Sequence, residues 1–341
     1  MQIETYHPGD EQGILELFAR VFGQNKDLDK WRWENMDNPR GASLFALLKE
    51  DNTVRGHLCL QLGLVKLGEE TVLCGQRINS MIEQKYRHKG VFEQMFLHLL
   101  EQAHNRKLGF IFGFPNAQSL RALQKIYPTE AVAQTPRFLK FYRGEAAVSR
   151  KINHPVLSRA AGLGLDVFLY FKNRKKASTD KVSALKQFDQ RIDQLWQQVS
   201  AGIHVAVVRD SAYLNWRYID SPTQYQVLVF EQGGEVQGYI VLLAEPDGMG
   251  HIVDLVALEQ AETVPALLSA ADEYLRPRCS MLSCWCLDQG QVSPQLRRYG
   301  FFSLPSQNTL AVSNIGVTKQ AMQVLLDREK WYVMIGDSDY V

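Results

Sequence analysis

Met81-Ile-Glu-Gln-Lys-Tyr86-Arg87-His88-Lys89-Gly90-Val91-Phe92 joins an apolar stretch, Thr71 to Ile82, to a segment in which Phe92, Met95, Phe96, Leu99, Leu100 and Ala103 recur at helical spacing. The stretch reads as a strand and the segment as an amphipathic helix. A strand that hands over to a helix through a basic, glycine-containing loop presents backbone N–H groups with no intrahelical partner, together with the positive end of the helix dipole. That combination suits a pyrophosphate. Arg87 and Lys89 add charge, and Gly90 lets the backbone approach phosphates with no Cβ in the way.

Working outward, the chain repeats itself. Trp33-Glu-Asn-Met-Asp37-Asn-Pro39 stands beside Trp216-Arg-Tyr-Ile-Asp220-Ser-Pro222, with Trp, Asp and Pro all offset by 183 residues. After each proline comes an apolar strand (Ser43 to Lys49; Tyr225 to Phe230), a turn, and a glycine opening a second strand (Gly56; Gly238), now offset by 182, which predicts a one-residue slip inside the turn. An amphipathic helix precedes each copy, with Ile14, Leu17, Phe18 and Val21 in one and Ile192, Leu195, Trp196 and Val199 in the other. Downstream, each half continues strand, helix, strand, helix, strand, ending at Phe138 to Tyr142 and at Thr309 to Ser313. The repeat predicts two copies of one α+β domain over residues 1–145 and 185–315, a helical linker over 146–184 and a tail over 316–341.

The bulk composition agrees. With 341 residues, 38 Lys+Arg against 37 Asp+Glu and 45% apolar residues, the chain is an ordinary globular protein long enough for about two domains. A formal charge of +1 argues against a general nucleic-acid binder. Cys59, Cys74, Cys279, Cys284 and Cys286 are too few and too irregular for a disulfide scaffold, so they read as buried and reduced. No His or carboxylate stands beside Cys284 and Cys286 at metal-ligand spacing, so no metal site is expected there. Met1-Gln-Ile-Glu-Thr-Tyr-His-Pro lacks the basic and apolar regions of a signal peptide, which predicts a cytoplasmic protein. Pro155 to Phe171 is too short and too interrupted to span a bilayer. With Lys172, Arg174, Lys175 and Lys176 after it, the run reads either as a helix packed between domains or as a peripheral membrane contact. Association into a homo-oligomer stays open.

The strand, the loop with Arg87 and Gly90, and the helix together resemble the GNAT N-acetyltransferase superfamily, whose acetyl-CoA loop follows the fourth strand with the pattern Arg/Gln-x-x-Gly-x-Gly/Ala. Arg87 and Gly90 match it; His88 and Phe92 depart from it, standing where Gly and a small residue are usual. The resemblance implies two tandem GNAT-like domains, each a mixed, mostly antiparallel central sheet flanked by helices. It also implies an acetyl-CoA or other acyl-CoA cosubstrate held by the backbone of Met81 and Ile82 and by Arg87, His88, Lys89, Gly90, Val91 and Phe92. The family's fourth and fifth strands splay around the pantetheine arm, and a polar residue beyond the fifth then meets the cofactor. Asn116 resembles that residue, with Ser119 close by, although either also suits a helix N-cap.

In the second half the corresponding loop, Glu259-Gln-Ala-Glu262, is acidic and has no glycine, so this copy is expected to bind no CoA. One competent and one degenerate copy resemble the tandem Eis-type acetyltransferases. The implied reaction is direct acyl transfer to a primary amine of a small molecule or amino sugar. The nearest base candidate is Glu83, otherwise a solvent-facing strand end, and the acid candidate is Tyr127, otherwise a spacer before the final hairpin. The alternatives are a FemX-like aminoacyl transferase using aminoacyl-tRNA and a non-catalytic acyl-CoA-binding regulatory protein. The tail from Trp331 to Val341, rich in aromatics and carboxylates, reads either as lining the acceptor cleft or as a closing strand between domains.

Overall fold

Residues 1–87, 89–143, 177–288, 290–305 and 308–340 are described by a computed structural model. His88, most of the expected linker and the Pro155 to Phe171 run lie outside the described residues.

The first half runs β1 (Gln2–Glu4), α1 (Glu11–Phe22), α2 (Leu28–Asn35), β2 (Leu44–Glu50), β3 (Thr53–Leu67), β4 (Glu70–Ile82), α3 (Val91–Asn105), β5 (Phe110–Gly113), α4 (Ala117–Gln124), β6 (Glu130–Gln134) and β7 (Arg137–Phe141). The second half runs β8 (Val182–Leu185), α5 (Gln190–Ser200), β9 (Val205–Val207), α6 (Ser211–Leu214), β10 (Gln226–Gln232), β11 (Glu235–Ala244), β12 (Met249–Ala257), α7 (Thr263–Leu275), β13 (Met281–Trp285), α8 (Val292–Arg298), β14 (Phe302–Leu304) and β15 (Thr309–Asn314). Helix α9 (Lys319–Leu326) and the tail follow. Apart from β9, the second series repeats the first, and each half contributes one parallel pair, β4 with β5 and β12 with β13, to an otherwise antiparallel sheet.

The repeat is visible residue by residue. Gly56 faces Leu48 on one side and Ile82 on the other; Gly238 faces Phe230 and Ala257 in the same way. Both glycines let a helix lie close on the sheet. A Cβ at Gly56 would sit 3.0 Å from the Met95 sulfur, and one at Gly238 would sit 2.9 Å from Thr263 Cγ2. Each glycine lies inside its strand rather than opening it. The one-residue slip is also not in the turn, because both hairpins turn through two residues, Asp51-Asn52 and Gly233-Gly234, all at positive φ as the right-handed twist of hairpin strands prefers. Leu48 and Phe230 are already 182 apart, so the extra residue belongs to the loop between Pro39 and β2.

The halves do not close their sheets separately. One sheet runs β1-β2-β3-β4-β5-β15-β6, the other β8-β10-β11-β12-β13-β7-β14. The last strand of each half therefore lies in the other half's sheet, with β15 between β5 and β6, and β7 between β13 and β14. Strand β9 adds a third crossing by pairing with Val65 to Leu67 of β3. The expected boundary at residue 145 is consequently not a boundary between sheets. A continuous core containing Trp33, Phe112, Trp216, Tyr239 and Leu310 fills the space between them. Smaller clusters lie under α3 (Leu60, Met95, Leu99) and under α1 and α2 (Ile14, Trp31, Ile78).

At the centre stand the two repeat tryptophans. Trp33 Nε1 donates to the Trp216 carbonyl at 2.6 Å, and Trp216 Nε1 donates to the Trp33 carbonyl at 2.9 Å. Their rings stack with centroids 5.4 Å apart. Residues offset by 183 in sequence thus meet as a symmetric pair.

Candidate active site

Strands β4 and β5 pair only from Cys74 to Gln76 against Phe110 to Phe112. Beyond that, β4 continues to Ile82 while β5 ends at Gly113, so the two limbs splay, with Arg77 and Gly113 at the closed end. At the open end, a 3-10 turn over Gln84–Tyr86 leads to Gly90, which caps α3 at φ +71. No atom outside its chain neighbours lies within 4 Å of where a Gly90 Cβ would stand, and the first-turn amides of α3 have no partner within the helix. Tyr86 anchors the turn through a hydrogen bond from its hydroxyl to Glu50. Arg87 Nε donates to the Ile82 carbonyl at 2.8 Å, and Arg87 and Lys89 are exposed. Val91 is buried under α3, Phe92 packs on Phe96, and Met81 is buried on the α1 face, so Met81 and Ile82 have only backbone to offer a cofactor. Asn116 Oδ1 accepts from Ser119 N at 2.9 Å, which is the N-cap role.

The β4 limb carries a bulge. His57 pairs with Met81 and Cys59 with Ile78, leaving Asn79 and Ser80 opposite Leu58, with Asn79 at φ +47. Such a bulge removes an amide from the ladder and re-aims the strand. Around it gathers a network that the sequence did not reveal. The Asn79 carbonyl accepts from His57 Nδ1 at 2.8 Å; the Asn79 side chain donates to Glu34 at 3.1 Å; the Asn79 amide donates to Asp339 Oδ2 at 3.3 Å. Lys26 closes on Glu34 at 2.6 Å. Burial holds His57 neutral, with its pKa down at about 4. Asp339 as a whole is exposed, but the atoms packed around its carboxylate and the charge of Glu34 raise that carboxyl above its ordinary range. Asn79, Asp339, Trp33, Trp216 and Lys30 line a cleft of about 460 Å³ on the face away from α3.

The tail binds in both places at once. Gln76 Nε2 donates to the Asp337 carbonyl at 2.9 Å, fixing the tail beside the first splay. In the second half, β12 and β13 part after Ile252 and Cys284, and the tail occupies that gap. The Tyr332 hydroxyl donates to the Leu255 carbonyl, and Met334 bridges to Cys286. Gly336 packs so tightly that a Cβ would lie 3.0 Å from the Val253 carbonyl oxygen. Arg209, fully buried, locks the arrangement by pairing with Asp254 at 3.1 Å and with Asp337 at 2.7 Å. The tail thus lines the cleft of the first half with Asp339 and fills the gap between β12 and β13 of the second. Glu259 and Glu262 stand before α7, where Glu262 pairs with Lys181 at 3.0 Å.

The two residues proposed for proton transfer are elsewhere engaged. Glu83 is held by Arg20 at 2.9 Å and by Arg55 at 3.2 Å. The Tyr127 hydroxyl donates to the Asn314 carbonyl at 2.7 Å on the α3 side, and burial raises its pKa. Neither is brought to the bulge. All five cysteines are buried and free. Among the described residues no helix is long and apolar enough to cross a membrane.

Residues 2–125 match the family model described as an acetyltransferase (GNAT) domain. No curated protein sequence matches the chain. A GCN5-related N-acetyltransferase from Anabaena variabilis superposes with a TM-score of 0.66 at 13% identity over 92% of this chain and 73% of that one. A probable N-acyltransferase of unknown function from Enterococcus faecalis gives 0.65 at 10% identity, covering 92% and 73%. Saccharomyces cerevisiae N-myristoyltransferase with bound myristoyl-CoA gives 0.64 at 10% identity, covering 92% and 79%. At such identities the likeness is one of fold, and it extends through both halves. Residues 2–125 thus match a GNAT acetyltransferase domain, and the chain carries that fold twice, interlocked.

Proposed function

We propose that the protein is an acyl-CoA-dependent N-acyltransferase that acts by direct transfer to a primary amine of a small molecule or amino sugar. The observation that supports this best is the bulged β4 limb, with the open α3 N-terminus at one end and the proton-seeking Asp339 against the bulge. In this reading the α3 amides, Arg87 and Lys89 hold the pyrophosphate, and the pantetheine arm lies between the splayed strands. Ser80, exposed beside the bulge, offers its amide to the thioester oxygen. Asp339 takes a proton from the acceptor ammonium. The freed amine bonds to the carbonyl carbon, the C–S bond breaks, and the leaving thiolate takes up the proton that the attacking nitrogen gives up as the amide forms. Asp339 suits the base role better than Glu83, because Glu83 is tied up by two guanidinium groups while desolvation of the Asp339 carboxylate favours proton uptake there.

Asp339→Asn tests this. The variant should bind CoA as the wild type does but lose about 10² to 10⁴-fold in kcat and lose the acidic limb of its pH profile. Thiol release measured against a panel of amines reads both. An Asp339→Asn enzyme working at full rate would remove Asp339 from the mechanism.

A further inference from the structure

At the closed end of the splay sits a charge with nothing to answer it. Arg77 lies opposite Leu60 of β3 and across Gly113, where a Cβ would come within 3.3 Å of Arg77 Cβ and 3.5 Å of its Nε. Both terminal guanidinium nitrogens are buried and have no hydrogen-bond partner among the described residues. Burial alone pulls the pKa down to about 10, with no carboxylate opposing it. Arg209, a fully buried arginine, is by contrast met by Asp254 and Asp337. An uncompensated buried cation is costly, and proteins keep such groups where a partner arrives from outside. Gly113 is also the first residue of β5 no longer paired with β4, so Arg77 stands where the gap between the limbs begins.

We infer that Arg77 receives the terminal carboxylate of the cosubstrate's acyl chain, so that the enzyme transfers an ω-carboxyacyl group, of the malonyl or succinyl class, in preference to acetyl. The inference rests on the acyl-CoA reading above and narrows its donor. Arg77 and the bulge at Asn79 are two strand residues apart, roughly 6.6 Å, a span that a short dicarboxylic chain bridges while its thioester carbonyl stays at the bulge. Arginine suits the task because its planar fork pairs with a carboxylate through two parallel hydrogen bonds. The bonds made and broken are those of the transfer described above, and the distal carboxylate passes unchanged to the product amide.

The test compares acetyl-CoA, succinyl-CoA, malonyl-CoA and free CoA by calorimetry and by thiol release, in the wild type and in Arg77→Met and Arg77→Lys. The wild type should favour succinyl- or malonyl-CoA over acetyl-CoA by at least tenfold in kcat/KM. Arg77→Met should abolish that preference while keeping its affinity for free CoA, and Arg77→Lys should retain part of it. Acetyl-CoA used as well as the dicarboxylic donors by the wild type overturns the inference whatever the variants do. Equal loss of all donors in Arg77→Met with free CoA still bound overturns it as well. Failure of the wild type to bind any of the four overturns the acyl-CoA reading together with it.

Discussion

His57 shows how one residue couples the bulge to stability. Its Nδ1 proton goes to the Asn79 carbonyl, while its Nε2 is buried without a partner, so the ring folds neutral. Unfolded, it titrates near 6.5; folded, near 4. Between those values the unfolded chain holds more protons, so stability falls as pH drops through the window, by on the order of 3 kcal/mol at most for this one group. Urea unfolding at pH 7 and pH 4.5 should show a smaller loss in His57→Gln than in the wild type. Identical losses would mean that the ring already carries charge in the fold. Asp339 shifts in the opposite sense for a carboxyl, and its contribution cancels in this difference because both proteins contain it. Trp33 and Trp216 were legible from the sequence as a repeat. Nothing in their spacing said that they touch, because a conserved offset specifies equivalence and not proximity. Asp339 was visible only as one of several tail carboxylates; its importance comes from the Asn79 amide, which lies 260 residues away.

At the scale of elements, the strand-loop-helix unit from β4 to α3 was readable almost to the residue. The apolar periods of 2 and 3.6 meet at the basic loop, and Gly90 falls where the backbone turns left-handed. The bulge was not readable, since Asn79-Ser80 is simply a polar interruption in an apolar run until its partner strand is known. Strands β6 and β14 were also missed, being short and half-exposed to exposed, with little alternation to mark them. Gly90→Glu separates binding from folding at this element. The left-handed conformation should cost about 1–2 kcal/mol, with no clash added, because no atom lies near the new Cβ. The carboxylate, however, projects onto the anion site, so acyl-CoA affinity should fall by more than tenfold while the melting temperature drops only a few degrees. Unchanged affinity for acyl-CoA would move the cofactor away from the α3 N-terminus.

At the scale of the molecule, the two sheets form one folding unit. Each needs a strand from the other half, and the core between them is continuous. Urea and thermal unfolding followed by far-UV circular dichroism and by tryptophan fluorescence should therefore give one coincident transition. A fragment ending at residue 143 should stay largely unfolded, because its sheet lacks β15 and its β7 has no partner. Two separated transitions, or a folded fragment, would show that the exchange contributes little. The sequence could not announce the exchange. Strands β7 and β15 occupy the same place in the two halves' order, and which sheet each joins is set by tertiary context rather than by local preference.

Interlocking also sets an order of events in the cell. When the ribosome has made the first 143 residues, the sheet that carries the proposed catalytic centre still has a gap between β5 and β6, which only residues 309–314 can fill. At roughly 5–20 residues per second, the wait is on the order of ten seconds. Through that time the nascent N-terminal half has an open edge and no Asp339 beside its bulge. A message broken anywhere before β15 yields a chain whose first sheet stays open, and so a substrate for proteases rather than a half-built enzyme consuming acyl-CoA.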